Sequence, residues 1–197
     1  MFRNVAVLFL IFLSLSGTAQ NRSNASGAAD SKLSAGAALL FKDVKTNATT
    51  AEKNKLYQQL NLQLASDKKG FIMDEYPVQT YVYPTDMNKD GKEEIFIGLG
   101  SVALFGNIGE SFSLYIRDQA GVYQLEPDFS GGGRPTILSV KNLGYPDLLS
   151  GGPGFEFPVY RWNGRKYVLH RKMKGGALNS NNSTDIELYS KAFTESR

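Results

Sequence analysis

Hydrophobic positions change their spacing three times along the chain. Val5 to Leu13 is an unbroken apolar stretch behind Arg3, extended by Leu15 and closed by the small residues Gly17-Thr18-Ala19. That order of charge, apolar run and small residues predicts a secretory signal over residues 1–19, cut before Gln20. The run is about half the ~20 residues that a membrane span needs, so no stable membrane span is expected after cleavage. Residues 20–36 hold one large apolar side chain, Leu33, among Ser, Ala, Asn and Gly, and are predicted to be a flexible tether.

Two helices are expected next. Ala37 to Val44 suggests a short one. Thr49 and Glu52 form a capping box ahead of Leu56, Tyr57, Leu60 and Leu64 at helical spacing, which predicts a helix packed against a sheet. After Gly70 the pattern becomes short β-type runs punctuated by Gly, Pro, Asn and Asp. Strands are predicted at 78–83, 94–98, 112–117, 122–125, 136–140, 147–150, 158–162 and 166–170. Asn163-Gly164 predicts a two-residue hairpin pairing Trp162 with Arg165, Tyr160 with Tyr167 and Val159 with Val168. The expected domain is 37–179, mainly β with an N-terminal helix (α+β). Residues 180–197 are expected to be an Asn-rich tail in which Thr184-x-x-Glu187 caps a short helix carrying Ile186, Tyr189 and Phe193.

Composition narrows the chemistry. The chain has 197 residues, 42% of them hydrophobic, no cysteine and one histidine. Disulfides, thiolate metal sites, a cysteine nucleophile and an acylated cysteine are therefore excluded. The formal charge of +3 falls to +2 when Arg3 leaves with the signal, because 21 basic residues then face 19 acids. A chain so close to neutral, in an exported location, gives no reason to expect nucleic acid as a partner. Stability has to come from the core and, where there is one, a bound ion.

The second two thirds of the sequence partly repeats itself. Gly91-x-x-Glu94-Ile95-Phe96-x-Gly98 matches Gly144-x-x-Asp147-Leu148-Leu149-x-Gly151 at an offset of 53 residues. Tyr115 and Tyr123 match Tyr160 and Tyr167 at offsets of 45 and 44. Both copies read as loop, buried strand and aromatic hairpin, the first with a longer Gly-rich loop at 101–110.

The first copy carries the most specific chemical signal. Asp86, Asn88, Asp90 and Glu94 place side-chain oxygens at positions 1, 3, 5 and 9 of one loop, and Gly91 at position 6 permits the turn that aims the Lys92 carbonyl inward. Alternating oxygen donors around a tight turn suit a hard cation, and Ca2+ takes six to eight oxygens. The same residues also favour a solvated Asx-turn loop with no ion. The loop departs from an EF-hand, with Glu93 at position 8 and Ile97 at position 12.

It resembles instead the calcium loop of the FG-GAP or VCBS type of β-propeller repeat, Asp-x-Asn/Asp-x-Asp-Gly-x-x-Asp followed by an apolar strand and Gly. That resemblance implies Asp86, Asn88, Asp90 and Glu94 as side-chain ligands and Lys92 as a backbone ligand of Ca2+. In the second copy the corresponding upstream residues are Ser139, Lys141 and Leu143, which make no anionic cage. Two copies are too few for a closed propeller, so the expectation is one compact antiparallel sheet built from two degenerate propeller-like units.

Other constellations are weaker. His170 follows Val168-Leu169 and reads as a strand-end residue, no Gly-x-Ser-x-Gly elbow is present, and the spacing of Asp74, Glu75, Glu126, Asp128 and Glu156 selects no acid pair. Ser130 to Pro135 reads as an inter-strand loop. Arg161 to Lys174 holds six basic residues and no acid around Trp162 and Tyr167, either a hairpin with a basic outer side or a grip for an acidic glycan, with Arg165 lying on Trp162. The expectation is a secreted or periplasmic, calcium-stabilised binding module of the cell envelope, not an enzyme. Its partner would be an envelope protein or glycan, met at loops 101–110, 126–135 and 151–157. The alternative is a small cell-wall hydrolase or an inhibitor of an envelope enzyme.

Overall fold

The computed structural model describes residues 32–151 and 156–197. The predicted signal, residues 20–31 of the tether and most of the 151–157 loop lie outside that range. In chain order the elements are helices α1 (Ala35–Leu40) and α2 (Thr50–Gln58), then strands β1 (Gln63–Leu64), β2 (Phe71–Met73), β3 (Tyr76–Thr85) and β4 (Glu94–Gly100). Helix α3 (Val102–Phe105) precedes β5 (Glu110–Arg117), β6 (Tyr123–Gly132), β7 (Pro135–Asn142), β8 (Tyr145–Ser150), β9 (Glu156–Trp162) and β10 (Tyr167–Lys174). Strand β11 (Ser183–Asp185) and helix α4 (Ile186–Glu195) complete the described chain.

The protein is mainly β, as the pattern predicted, and all eight predicted strands are present. They form two antiparallel sheets rather than one: β1-β2-β3-β4-β5-β6, and β10-β9-β8-β7-β11. Neither closes on itself. Strands β3 to β6 and β7 to β10 are each a four-strand meander, so Glu94 and Asp147 both open or enter the second strand of a meander.

Burial explains the texture of β4. Ile95 and Ile97 face Leu40, Leu56 and Leu60 of the helical layer, while Phe96 faces the second sheet with Phe112, Leu114, Phe129, Leu148 and Tyr167. A strand covered on both faces reads as a continuous apolar run. Gly98 belongs here because a Cβ at that position would strike the Phe112 ring. A third, smaller cluster of Leu138, Leu149 and Val159 lies on the far side of the second sheet.

Helix α2 starts where predicted. Thr49 caps it, its side chain accepting from Glu52 N–H while the Glu52 carboxylate accepts from Thr49 N–H at 2.8 Å. The helix stops at Gln58, however, and Leu60 and Leu64 fall in the following turn and in β1. Helical spacing extended past the end because Asn61, at φ 53°, breaks the helix in a conformation that Asn tolerates better than most residues.

Three other boundaries move. Helix α1 begins at Ala35, capped by Ser34, whose N–H donates to Asn54 Oδ1 at 2.9 Å, and it ends at Leu40. Residues 32–36 therefore belong to the folded body and not to a tether. The expected tail is also part of the fold: β11 pairs with β7, and α4 buries Ile186 completely in the core between the sheets. Burying such a side chain is worth roughly 1.5–3 kcal/mol. The α4 cap is Asp185, accepting from Glu187 N–H, while Thr184 lies in β11. Finally, β9 and β10 pair Trp162 with Tyr167 and Arg161 with Val168, two residues away from the predicted register. The Asn163 side chain accepts from both Arg165 N–H and Lys166 N–H at 2.9 Å, which holds a four-residue loop. A shift of two preserves faces, so Tyr160, Trp162 and Tyr167 still share one; Arg165 moves into the turn and makes no stacking contact with Trp162 among the described residues.

Candidate metal centre

The β3–β4 connection holds the acidic loop. Its fold follows from local hydrogen bonding: Asp86 Oδ1 accepts from Asp90 N–H and Oδ2 from Gly91 N–H, both at 3.0 Å. Asp90 Oδ1 accepts from Lys92 N–H at 2.8 Å. Lys89 and Gly91 take positive φ, 62° and 81°, which curls the loop. One carboxylate oxygen from each of Asp86, Asp90 and Glu94 lies within 4.8 Å of the other two. Oxygens around a single Ca2+ at 2.3–2.6 Å stand at most about 5 Å apart, so the spacing fits one shared ion.

Of the five residues predicted for this site, three converge as carboxylates. Asn88 lies in the same loop, with Oδ1 accepting from Asp90 N–H at 3.1 Å and Nδ2 donating to Asp90 Oδ2 at 3.0 Å. Lys92 meets the cluster through its N–H. Asp90 is exposed and Asp86 half-buried, which leaves one side open to water.

Glu94 is different. It is 2% exposed; its Oε2 accepts from Met87 N–H at 2.8 Å and from Thr85 Oγ1 at 3.3 Å, and its Oε1 accepts from Tyr145 Oη at 3.2 Å. Burial pushes its carboxyl up to about 8, with the Asp86 and Asp90 charges adding to the effect and the Met87 and Tyr145 hydrogen bonds opposing it. Lys141 donates to the Met87 carbonyl at 3.3 Å rather than to a carboxylate of the cluster. Among the described residues no Lys, Arg or His nitrogen lies within 4.0 Å of these three carboxylates. The donor set, and the lack of a cationic partner among the described residues, fit a divalent cation.

Its counterpart in the second sheet is built otherwise. Asp147 is fully buried, and Arg161 grips it with two hydrogen bonds of 2.8 and 2.7 Å, with an Arg171 nitrogen at 3.8 Å. The long acidic loop is replaced by a two-residue turn, Leu143-Gly144, both at positive φ, between the paired Asn142 and Tyr145.

Sequence reasoning missed the partners of Glu94, of which Tyr145 comes from the other sheet. It also passed over Glu93. Pointing to the opposite face, Glu93 accepts from Thr46 Oγ1, from Asn47 N–H at 3.0 Å and from Tyr123 Oη at 3.3 Å, and pairs with Arg197 at 3.0 Å. The signal was the acid at a position where an EF-hand has an apolar residue. His170 is an exposed residue of β10, at the point where its register with β9 shifts. No helix among the described residues is long and apolar enough to cross a membrane.

The fold and site thus define a mainly β protein of two antiparallel sheets with, among the described residues, one convergent carboxylate cluster. Comparison of the chain with protein-family models, with curated proteins and with solved structures finds no match in any of the three.

Proposed function

We propose that this chain is an exported, calcium-stabilised binding module of the cell envelope, built on two units related to the FG-GAP or VCBS repeat. The observation that carries the ion is the cluster of Asp86, Asp90 and buried Glu94, which has no cationic partner while the other sheet's Asp147 has one. Three convergent carboxylates and the Asn88 side chain beside them are more oxygen donors than Mg2+ usually takes from a protein and suit Ca2+, with water completing the shell; Lys92 meets Asp90 through its N–H, and its carbonyl joins only if that peptide turns. The relation of the two units rests on the matching sequence offsets and on the matching order of strands in the two meanders.

The ion's role is structural: it joins the end of β3 to the start of β4, beneath the second sheet's Tyr145. Export rests on the N-terminal pattern of residues 1–19. Recognition of an envelope protein or glycan is assigned to the connections carried by the rigid two-sheet scaffold, 101–110 first among them, since most of the 126–135 stretch is strand β6. Calorimetric titration tests the ion, and one Ca2+ per chain is expected. Assay of the purified protein on cell-wall glycan and peptide tests the role, where turnover abolished by a single Asp or Glu substitution would make the module an enzyme.

A further inference from the structure

Four buried carboxylates can be compared among the described residues. Glu93 and Asp147 pair with arginines, and Glu94 belongs to the acidic loop. Glu126 on β6 has neither. It is 5% exposed, and among the described residues its Oε1 has no hydrogen-bond partner and no cationic nitrogen lies within ion-pairing distance of it. An unmade hydrogen bond at a buried acceptor is costly, and a fold retains one where something else makes the bond.

Glu126 lines a cleft of about 770 Å3 between the outer ends of β5 and β6 and the β9–β10 turn. That size falls within the range of small-molecule sites, about 300–1,000 Å3. Ile116, Leu125 and Trp162 supply apolar surface. Most charges around it are already committed: Arg117 to Glu52 and the Gly121 carbonyl, Asp118 to Gln124 and Val122 N–H, and Lys166 to Asp128 at 2.5 Å. The two charged side-chain groups of the lining left without a partner are Glu126 Oε1 and the Arg165 guanidinium, one an acceptor and one a donor.

We infer that this cleft binds a neutral saccharide, one hydroxyl donating to Glu126, another accepting from Arg165, and a C–H face of the sugar resting on Trp162. A ligand of either single charge meets one favourable and one opposing group, whereas each sugar hydroxyl can donate or accept as the site requires. A zwitterion would also match both charges, but its ammonium would have to be stripped of water to reach Oε1, which costs far more than desolvating a hydroxyl. Oε1 is covered in the free protein, so binding requires the Glu126 side chain to turn toward the cleft. No cleft residue belongs to loop 86–94, so this site stands apart from the ion.

Trp162 is the only tryptophan in the chain, so its fluorescence reports on the cleft. The full chain should be titrated with cellobiose, maltose and chitobiose to about 50 mM, enough to detect millimolar binding. Saturation-transfer NMR on the same mixtures covers binding that leaves the fluorescence unchanged. A saturable response to at least one disaccharide is expected, equal in calcium and in chelator. Arg165→Ala, in an exposed turn, should weaken it roughly ten- to a hundredfold, the worth of one hydrogen bond to a charged group, with the thermal midpoint unmoved. Glu126→Gln should weaken it as well. No response to any of the three sugars, a response indifferent to both substitutions, or saturation by glycine or inorganic phosphate in place of sugar would each overturn the assignment.

Discussion

Glu94 and Asp147 occupy equivalent places in two adjacent sheets and resolve the same difficulty in different ways. Ile95 pairs with Tyr115, so Glu94 falls opposite Ile116; Leu148 pairs with Tyr160, so Asp147 falls opposite Arg161. Where the second sheet supplies a guanidinium from its third strand, the first supplies an isoleucine and a loop bearing two more carboxylates. A buried carboxylate needs a counter-charge. One sheet carries its own covalently, and on the proposed reading the other borrows it from solution. If the two units are related as proposed, a shortened loop need not leave an unmet charge: in the second sheet the connection is only Leu143-Gly144, and an arginine stands where the proposed cation would be.

Exchanging the two solutions tests this contrast, and the largest effect is expected in the second sheet. Arg161→Ile leaves Asp147 buried without its bidentate partner, and urea unfolding should show a loss of about 3–5 kcal/mol. Much of that should return in the double variant with Asp147→Leu. Glu126 has a third recourse, a proton taken up below about pH 7; above that it stays the charged acceptor that the cleft proposal uses. Burial lifts its carboxyl from 4.5 to about 7, with the Asp128 charge adding and the Tyr167 N–H opposing. The folded state therefore holds a proton that the unfolded chain has released. Its contribution is fully present below about pH 4.5 and is lost as pH rises through 7, at most about 3 kcal/mol, and Glu126→Gln should flatten that part of the stability–pH curve.

Smaller effects are expected in the first sheet. Ile116→Arg supplies the guanidinium that the second sheet uses, so the calcium-dependent part of stability, about 1.4 kcal/mol at tenfold saturation, should disappear while the calcium-free protein keeps its midpoint or gains. Tyr145→Phe removes one hydrogen bond to Glu94 and should cost about 1 kcal/mol, measured with calcium present. If Ile116→Arg leaves the calcium response intact, the proposed equivalence of the two units does not describe how their charges are balanced.

How much of this was legible in the sequence depended on how local the cause was. The Thr49–Glu52 capping box and the eight strands rest on neighbours a few residues apart, and the structure contains them, although β6 runs on to Gly132 through most of the stretch read as the 126–135 loop; of the acidic loop's five residues, three converge. The end of α2 was not legible, because apolar spacing at Leu60 and Leu64 continued past a break that Asn61 makes in the backbone. The β9–β10 register was missed because the Asn163 side chain captures two N–H groups and widens the loop, a competitor that the Asn-Gly pattern does not reveal. Residues that complete the sites come from afar: Tyr145 reaches Glu94 across 51 positions, and Arg197 reaches Glu93 across 104. The role of Glu126 was equally invisible. Its orphaned oxygen exists only because two sheets meet around it.

The most direct test of the central claim is thermal unfolding of the full chain in calcium, in magnesium and in chelator, beside Asp90→Ala under the same conditions. With the dissociation constant tenfold below the calcium concentration, the wild-type midpoint should rise by about 3–6 °C in calcium and far less in magnesium, and Asp90→Ala should show no difference between calcium and chelator. A wild-type midpoint that is the same in all three would contradict the account, leaving Asp86, Asp90 and Glu94 as turn-forming residues whose convergence serves no ion.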